Sequence, residues 1–102
     1  MREPTGRLKE KVRKENLWLF ILRLLKEGKR YGSEIREAVN EKFGFWIGNV
    51  TAYKVLYLLE NDGYVEKEKQ GRKKYYKITE KGEEELEEAK KFFRETLSKL
   101  SK

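Results

Sequence analysis

Clustered basic residues are the side chains of this sequence best placed to do chemistry. Six of them fall between positions 67 and 77: Lys67, Lys69, Arg72, Lys73, Lys74 and Lys77. Only Glu66 and Glu68 offset this charge. Lys and Arg side chains bind phosphate groups and displace the counterions condensed around them, so the segment is a candidate contact for a nucleic-acid backbone. A hairpin that uses lysines only to prevent edge-to-edge aggregation would have the same composition.

A second candidate surface lies on one side of the segment from Ile47 to Val65. At about 100° per residue, a helix here separates two sets of side chains. The apolar set is Ala52, Val55, Leu56 and Leu59, and the opposite set is Val50, Lys54, Tyr57 and Asn61. The first set predicts a core contact, which leaves the second free to contact a ligand. Because Gly63 follows the last periodic residue, we expect the helix to end at positions 61–63.

Composition excludes most catalytic chemistry. The sequence has no Cys and no His, so it offers no disulfide, no thiolate or imidazole metal ligand and no His general base. Ser33, Ser98 and Ser101 therefore have no His to activate them, and no phosphate-binding Gly loop is present. We expect neither an enzyme nor a protein with a cofactor or metal. The glutamates at positions 83–88 are expected to complement a helix dipole.

The net charge of +7 is unevenly distributed along the 102 residues. Residues 1–30 contain ten basic and four acidic side chains, and residues 64–79 contain six and two. Two separated basic segments are typical of a nucleic-acid-binding protein, although a solubilising surface would also contain them. The length suits one domain, and because only 37% of the residues are hydrophobic, we hypothesise that a second subunit completes the core.

Nothing in the sequence predicts contact with a membrane. The longest apolar run, Leu17 to Leu22, is too short for a membrane span. The first fifteen residues are too charged for a signal peptide. We therefore expect a cytoplasmic protein.

Residues 1–15 form the first of three predicted segments. Thr5 is a candidate helix cap, and Leu8 and Val12 would share one side of the helix. The segment is either a helical extension used in dimer contacts or a mobile basic arm. In the second case five cations are available for phosphates: Arg7, Lys9, Lys11, Arg13 and Lys14.

Residues 16–79 predict a winged helix-turn-helix, so the fold class is mainly α with a small β-hairpin. An apolar helix from Asn16 to Glu27 precedes a second helix that opens at Tyr31 and turns Ile35, Ala38 and Val39 inward. The turn at positions 45–48 is short and contains Gly, and we expect Trp46 to be wedged between the helices. Strands at 64–69 and 73–79 then pair through a turn at 70–72.

Residues 80–102 predict a C-terminal dimerisation helix. Thr79 begins it, and apolar residues recur every three or four positions up to about Leu100. Together with one flank of the first apolar helix, this stripe predicts the dimer interface. Its residues are Leu17, Trp18, Ile21, Leu86, Ala89, Phe92, Phe93, Leu97 and Leu100. Packing of the last helix onto its own domain is the alternative.

The chain resembles the PadR family of winged-helix transcriptional regulators. The match covers about residues 16–85 and rests on the order of five features: LLKEG ending the first apolar helix, YGSEI, the pattern I-x-x-x-T-x-Y at Ile47, Thr51 and Tyr53, LLENDGYV, and GRKKYYKITEKG. The sequence departs from the family where Val50, Ala52 and Lys54 replace its usual Gly, Leu and Pro. It also has Leu58 where an Arg is common.

The resemblance implies a homodimer joined through the first and last helices. Some family members bind flat aromatic effectors between their subunits, often against a tryptophan of the last helix. The resemblance therefore implies a small aromatic effector, for which the last helix of this chain offers Phe92 and Phe93.

From the residues and the resemblance together we expect a homodimeric repressor that binds a specific sequence of double-stranded DNA. Asn49 and Lys54 are candidates for base edges, and Thr51 and Tyr53 for phosphates. The full DNA-binding set is Asn49, Thr51, Tyr53, Lys54, Tyr57, Arg72, Lys73 and Lys74. Two alternatives remain: a non-specific architectural nucleic-acid binder, and a winged helix used for protein contacts.

Overall fold

Five helices and a three-stranded antiparallel sheet make up residues 3–102, which are the part of the chain that a computed structural model describes. The helices are α1 (Pro4–Glu15), α2 (Leu17–Lys26), α3 (Ile35–Phe43), α4 (Asn49–Asn61) and α5 (Glu80–Leu100). The strands are β1 (Arg30–Tyr31), β2 (Val65–Gln70) and β3 (Lys73–Ile78), and a short 3₁₀ turn, Gly32–Glu34, precedes α3. Residues 1 and 2 of the predicted first segment lie outside the described residues.

The core forms around α2, which is apolar on most of its sides. Its buried residues meet the inward sides of α3 and α4, the start of β2, the middle of β3 and one turn of α5. The central members are Leu17, Ile21, Leu22, Leu24, Leu25, Ile35, Val39, Leu56, Leu59, Val65, Tyr76 and Leu86. The predicted amphipathic pattern of α4 is confirmed, since Leu56 is fully buried whereas Val50 is 83% exposed.

Helix α1 begins at Pro4, two residues earlier than a cap at Thr5 would allow. Pro4 occupies its first turn, where a missing N–H costs nothing, and the preceding residue, Glu3, makes no side-chain cap. Thr5 therefore lies inside the helix, and its prediction as the cap is wrong. No residue of α1 within the described range is buried, and Leu8 is 62% exposed.

The sheet contains one strand more than the sequence predicts. β3 lies in the middle, with β2 and β1 antiparallel on either side. β2 and β3 form the predicted hairpin, in which Gln70 pairs with Lys73. Between them Gly71 has a φ of 62°, a left-handed conformation that glycine adopts without strain. β1 adds the pair Tyr31 and Tyr75, which attaches the segment before α3 to the hairpin.

The turn between α3 and α4 orients its aromatic residues differently from the prediction. Trp46 is 63% exposed, so the expectation that it is wedged between helices is wrong. Phe45 fills that place instead and meets the edge of Phe20, with ring centroids 5.1 Å apart. Phe45 and Ile47 face the core while Trp46 faces solvent.

The first turn of helix α5 is held against the segment between α4 and β2. The Thr79 hydroxyl accepts a hydrogen bond from the Gly82 N–H at 3.1 Å and donates one to the Gly63 carbonyl at 2.7 Å. Gly82 lies against the Tyr64 carbonyl and leaves no room there for a side chain. Within residues 3–102, only Gly82 and Leu86 of this helix are buried, so its second half extends beyond the core. The architecture is the winged helix-turn-helix that the sequence predicts.

Candidate nucleic-acid interface

The solvent side of α4 holds the five residues predicted to face a DNA groove. Asn49, Thr51, Tyr53, Lys54 and Tyr57 are all exposed, with Tyr57 at 63%. A helix of this diameter fits the major groove of B-form DNA, where amide and ammonium groups can contact base edges. The structure therefore leaves all five predicted side chains accessible to solvent.

Arg36 fixes the point at which α4 begins. Its Nε donates a hydrogen bond of 2.8 Å to the carbonyl oxygen of Ile47, one residue before the helix cap Gly48. The bond joins α3 to the turn and is partly buried. Sequence analysis did not identify Arg36, because a lone Arg on an amphipathic helix has no distinguishing pattern.

The second part of the candidate site is the tip of the hairpin between β2 and β3. Arg72, Lys73 and Lys74 are exposed there, as predicted. Tyr53 of α4 faces the same space, and α4, the hairpin and residues 31–33 border an open cavity of about 350 Å³. Its lining consists of Tyr31, Gly32, Ser33, Tyr53, Arg72, Lys73, Lys74 and Tyr76, with no acidic side chain among them.

Gly32 makes the approach of Tyr53 possible. A Cβ at Gly32 would lie 3.0 Å from a ring carbon of Tyr53 and 3.1 Å from one of Tyr76. Those separations are shorter than an ordinary carbon contact. A side chain at position 32 would therefore push Tyr53 away from the hairpin cations.

The hairpin cations differ in how strongly they are neutralised. Lys77 contacts Glu68 at 2.7 Å and Glu66 at 3.5 Å, and Lys67 contacts Glu60 at 3.4 Å. The hydrogen bond with Lys77 lowers the pKa of Glu68, and the same bond raises the pKa of Lys77. In residues 3–102, Lys69, Arg72, Lys73 and Lys74 form no ion pair, which leaves the positive charge concentrated at the tip.

A layered contact of two tyrosines and two lysines supports the tip from the outer side of the sheet. The rings of Tyr31 and Tyr75 stack, the Lys73 ammonium lies 4.6 Å from the Tyr31 centroid, and the Lys29 ammonium lies 4.7 Å from the Tyr75 centroid. Cations are attracted to the negative faces of aromatic rings. Lys73 is thereby held at the edge of the cavity. The sequence analysis missed this contact, since its members lie 44 positions apart.

The residues predicted for a dimer interface divide into two groups. Leu17, Ile21 and Leu86 are buried in the chain's own core, with exposures of 2%, 0% and 2%, so they have no surface to offer a second subunit. The others remain accessible at least in part: Trp18, Ala89, Phe92, Phe93, Leu97 and Leu100.

The accessible group lines a long apolar groove between α1, α2 and α5. The groove has a volume of about 810 Å³ and also includes Leu8, Val12 and Leu19. Leu97 and Leu100 are 66% and 79% exposed. An apolar patch of this kind is unusual on a monomer and typical of an interaction surface.

Two further properties concern the described chain. Between residues 3 and 102, no helix is both long and apolar enough to cross a membrane. The same residues contain no group of three or more acidic side chains placed to hold a metal ion.

A family model and several solved structures match this chain. Residues 21–88 match the model of the transcriptional regulator PadR-like family. A transcriptional regulator from Clostridium thermocellum is similar in structure, with 26% identity and a TM-score of 0.79 over 88% of this chain and 94% of that one. RosR of H. salinarum is 31% identical, with a TM-score of 0.67 over 80% of this chain and 73% of that one.

A third structure extends the likeness in fold. F93 from STIV, a winged-helix DNA-binding protein, is 22% identical, with a TM-score of 0.69 over 79% of this chain and 89% of that one. No curated protein sequence matches the chain.

Proposed function

This chain belongs to the PadR-like family of transcriptional regulators, and from that premise we propose that it is a homodimer that binds a specific DNA sequence and represses transcription. The observation that supports the proposal most strongly is the cavity shared by Tyr53 and the hairpin cations. It joins a helix able to enter the major groove to a charged tip able to hold the adjacent backbone.

Within this proposal the residues have separate roles. Asn49 and Lys54 contact base edges from the exposed side of α4, with Tyr57 beside them. Thr51 and Tyr53 bind phosphates through their hydroxyl groups. Arg72, Lys73 and Lys74 hold the flanking backbone, where charge increases affinity without selecting sequence.

The exposed half of α5 supports the homodimer. Burying Phe92, Phe93 and Leu97 against a second copy would remove the apolar surface that the chain cannot cover by itself. A two-fold dimer presents two copies of α4, so we expect a palindromic operator with half-sites roughly 10 bp apart. Repression then follows from a dimer that blocks access to the promoter, and the proposed site of action is the cytoplasm.

The proposal includes a flat aromatic effector in the groove of α1, α2 and α5. Trp18, Phe92 and Phe93 line this groove, and in the proposed dimer their rings support a ligand that stacks between the two subunits. Isothermal titration with planar aromatic compounds tests this part. Binding that is unchanged by Phe92→Ala and Phe93→Ala would place the ligand elsewhere.

Selection of bound sequences from a random duplex library tests the main proposal. We expect a palindromic motif. Bound DNA without a motif would indicate a non-specific architectural binder, and no bound DNA would indicate a winged helix used for protein contacts. Both outcomes contradict the proposal.

Salt titration tests the role of the tip. A dimer that neutralises about eight phosphates should lose affinity with a slope of log K against log salt near −7. Changing Arg72, Lys73 and Lys74 to Gln removes up to six contacts from the dimer, so the slope should fall to about −2. The matched control changes Lys90, Lys91 and Lys99 of α5 to Gln. It removes the same charge from the protein and should preserve most of the slope of log K against log salt.

Mutation of the exposed apolar residues tests the dimer. Leu97→Asp should convert the protein to monomers in sedimentation experiments, because a carboxylate cannot be buried cheaply in an apolar interface. Glu95→Asp, on the other side of α5, is the control. A dimer that persists in Leu97→Asp would contradict the proposed interface.

A further inference from the structure

Helix α1 lies outside the residues matched by the family model, which begin at position 21, and it contacts two surfaces at once. Leu8 and Val12, one turn apart, line the apolar groove with Trp18 and Phe92. This side of α1 therefore belongs to the surface proposed for dimerisation. The other side of the helix faces the helix-turn-helix.

Arg13 connects that other side to the turn before α4. Its guanidinium carbon lies 5.2 Å from the centroid of Phe45, a favourable cation–π distance. A cavity of about 350 Å³ lies next to this contact. Its lining is Arg13, Lys14, Leu17, Phe45, Trp46, Ile47, Gly48 and Thr51. The C-terminal end of α1 is thus placed beside the first turn of α4.

The cavity beside α1 and the cavity beside the hairpin lie on different sides of α4. The α1 cavity is lined by Thr51, whereas the hairpin cavity is lined by Tyr53. Residues two positions apart on a helix point about 200° away from each other. The hairpin and α1 therefore flank the exposed side of α4 from opposite directions. A helix in the major groove likewise has a phosphate backbone on each side.

The charges of α1 fit the second backbone. Lys11 pairs with Glu15 at 3.2 Å and Lys14 pairs with Glu10 at 2.8 Å. Lys9 is exposed and forms no ion pair with any residue of the described chain. It precedes Arg13 by four positions, so the two cations form one row along the helix.

We propose that α1 is a third DNA-binding element, in which Arg13 positions the helix and Lys9 binds a backbone phosphate on the side of α4 opposite to the hairpin. The inference rests on the proposed function, since it requires α4 to lie in the major groove. Each subunit then holds both backbones that border the groove. Because the other side of α1 lines the dimer groove, one short helix joins the two surfaces.

The experiment compares two single charge removals on the same helix. Lys9→Gln and Lys11→Gln each remove one cation per subunit. Lys11 lies two positions after Lys9, so it points away from Lys9 on the helix, and it is already paired with Glu15. Affinity for the selected duplex is measured by fluorescence anisotropy over a range of salt. The full chain is used throughout, and both residues are exposed, so neither change should affect folding.

We expect Lys9→Gln to reduce the salt slope by about 2, because the dimer loses two phosphate contacts worth about 0.9 each. Sequence preference should stay the same, and Lys11→Gln should behave like the unmodified protein. Equal slopes for the two variants, with unmodified protein still binding DNA, would overturn this inference alone. An unmodified protein with a slope near zero would overturn the proposed function and the role of α1 with it.

Discussion

Tyr31 and Tyr75 stack face to face across β1 and β3, with ring centroids 4.0 Å apart, planes inclined by 22° and hydroxyl groups hydrogen-bonded to each other. The ring stack and the bond together attach β1 to the hairpin. Since β1 runs directly into the turn before α3, the pair ties the charged hairpin to the helix-turn-helix. The orientation of the hairpin relative to α4 depends on this contact.

The hydrogen bond between the two hydroxyl groups predicts that Tyr75 ionises at a higher pH than an ordinary tyrosine. The hydrogen bond with Tyr31 and partial burial raise the pKa of Tyr75 above its ordinary value of 10.0. The folded state thus favours the neutral phenol. This contribution to stability is complete below about pH 10 and is lost as the pH rises through the raised value. Tyr31→Phe should lower the pKa of Tyr75.

Absorbance titration of phenolate formation checks this prediction. The difference between the unmodified protein and Tyr75→Phe isolates the signal of Tyr75 from that of the other tyrosines. The same difference is then taken in the Tyr31→Phe background. Identical midpoints in the two backgrounds would show that the bond does not affect ionisation.

Two glycines on helices should respond oppositely to alanine. A Cβ at Gly82 would collide with the Tyr64 carbonyl and meet Ile78 at 2.8 Å. Gly82→Ala should therefore cost about 1–3 kcal/mol of unfolding free energy. Gly6 lies in α1 with nothing within 4 Å, so Gly6→Ala should stabilise the protein by roughly 0.5–1 kcal/mol. Urea unfolding measures both. Equal effects would contradict the close packing at Gly82.

Arg36 should affect DNA affinity without contributing a phosphate contact. Replacing it by Met removes the hydrogen bond to the Ile47 carbonyl, worth about 1 kcal/mol, and loosens the start of α4. We expect affinity to fall roughly fivefold with an unchanged salt slope, and Arg36→Lys to restore part of the loss. A slope reduced by about 2 in Arg36→Met would instead indicate a direct phosphate contact.

Ion pairs of Glu27 should make the stability of the folded protein depend on pH in the acid range. Its carboxylate accepts hydrogen bonds from Lys42 at 2.7 Å and from Arg23 and Arg30 at 3.4 Å. The bond with Lys42 is the main cause of its lowered pKa, relative to 4.5. The resulting stability is present above about pH 4.5 and is lost as the pH falls through the lowered value.

Thermal unfolding at several pH values tests this contribution. The unmodified protein should exceed Glu27→Gln in melting temperature near neutral pH, and the difference should shrink below pH 4.5. Glu37→Gln is the control, because Glu37 is exposed and has no ion pair within residues 3–102. A difference that is constant with pH would contradict a role for the charge of Glu27.

The parts of the fold predicted from sequence are those set by local patterns. The inward side of α4 follows from the spacing of Ala52, Leu56 and Leu59, and the start of α5 from the cap residue Thr79. β1 was missed because two residues cannot show an alternating pattern. Trp46 was misplaced because the packing of Phe45 on Phe20, a contact distant in sequence, decides which ring of the turn is buried.

In the candidate site, too, local patterns were predictable from sequence and contacts between distant residues were not. Composition locates the cations of the hairpin, but the strand register decides which are neutralised, since it sets Glu66 opposite Lys77. An apolar stripe also cannot distinguish a core contact from an interface. Leu17, Ile21 and Leu86 have the periodicity expected of interface residues and are nevertheless buried within the chain.

The bonds of Thr79 and the close contact of Gly82 with Tyr64 have a mechanical consequence. They hold one end of the 21-residue α5, an arm about 30 Å long, against the segment that precedes β2. In the proposed homodimer, tilting this arm by about 10° at its far end would displace the hairpin by roughly 5 Å, more than the rise of one base pair. In that dimer, small changes in the crossing angle of the two arms would thus be amplified into displacements of the two hairpins.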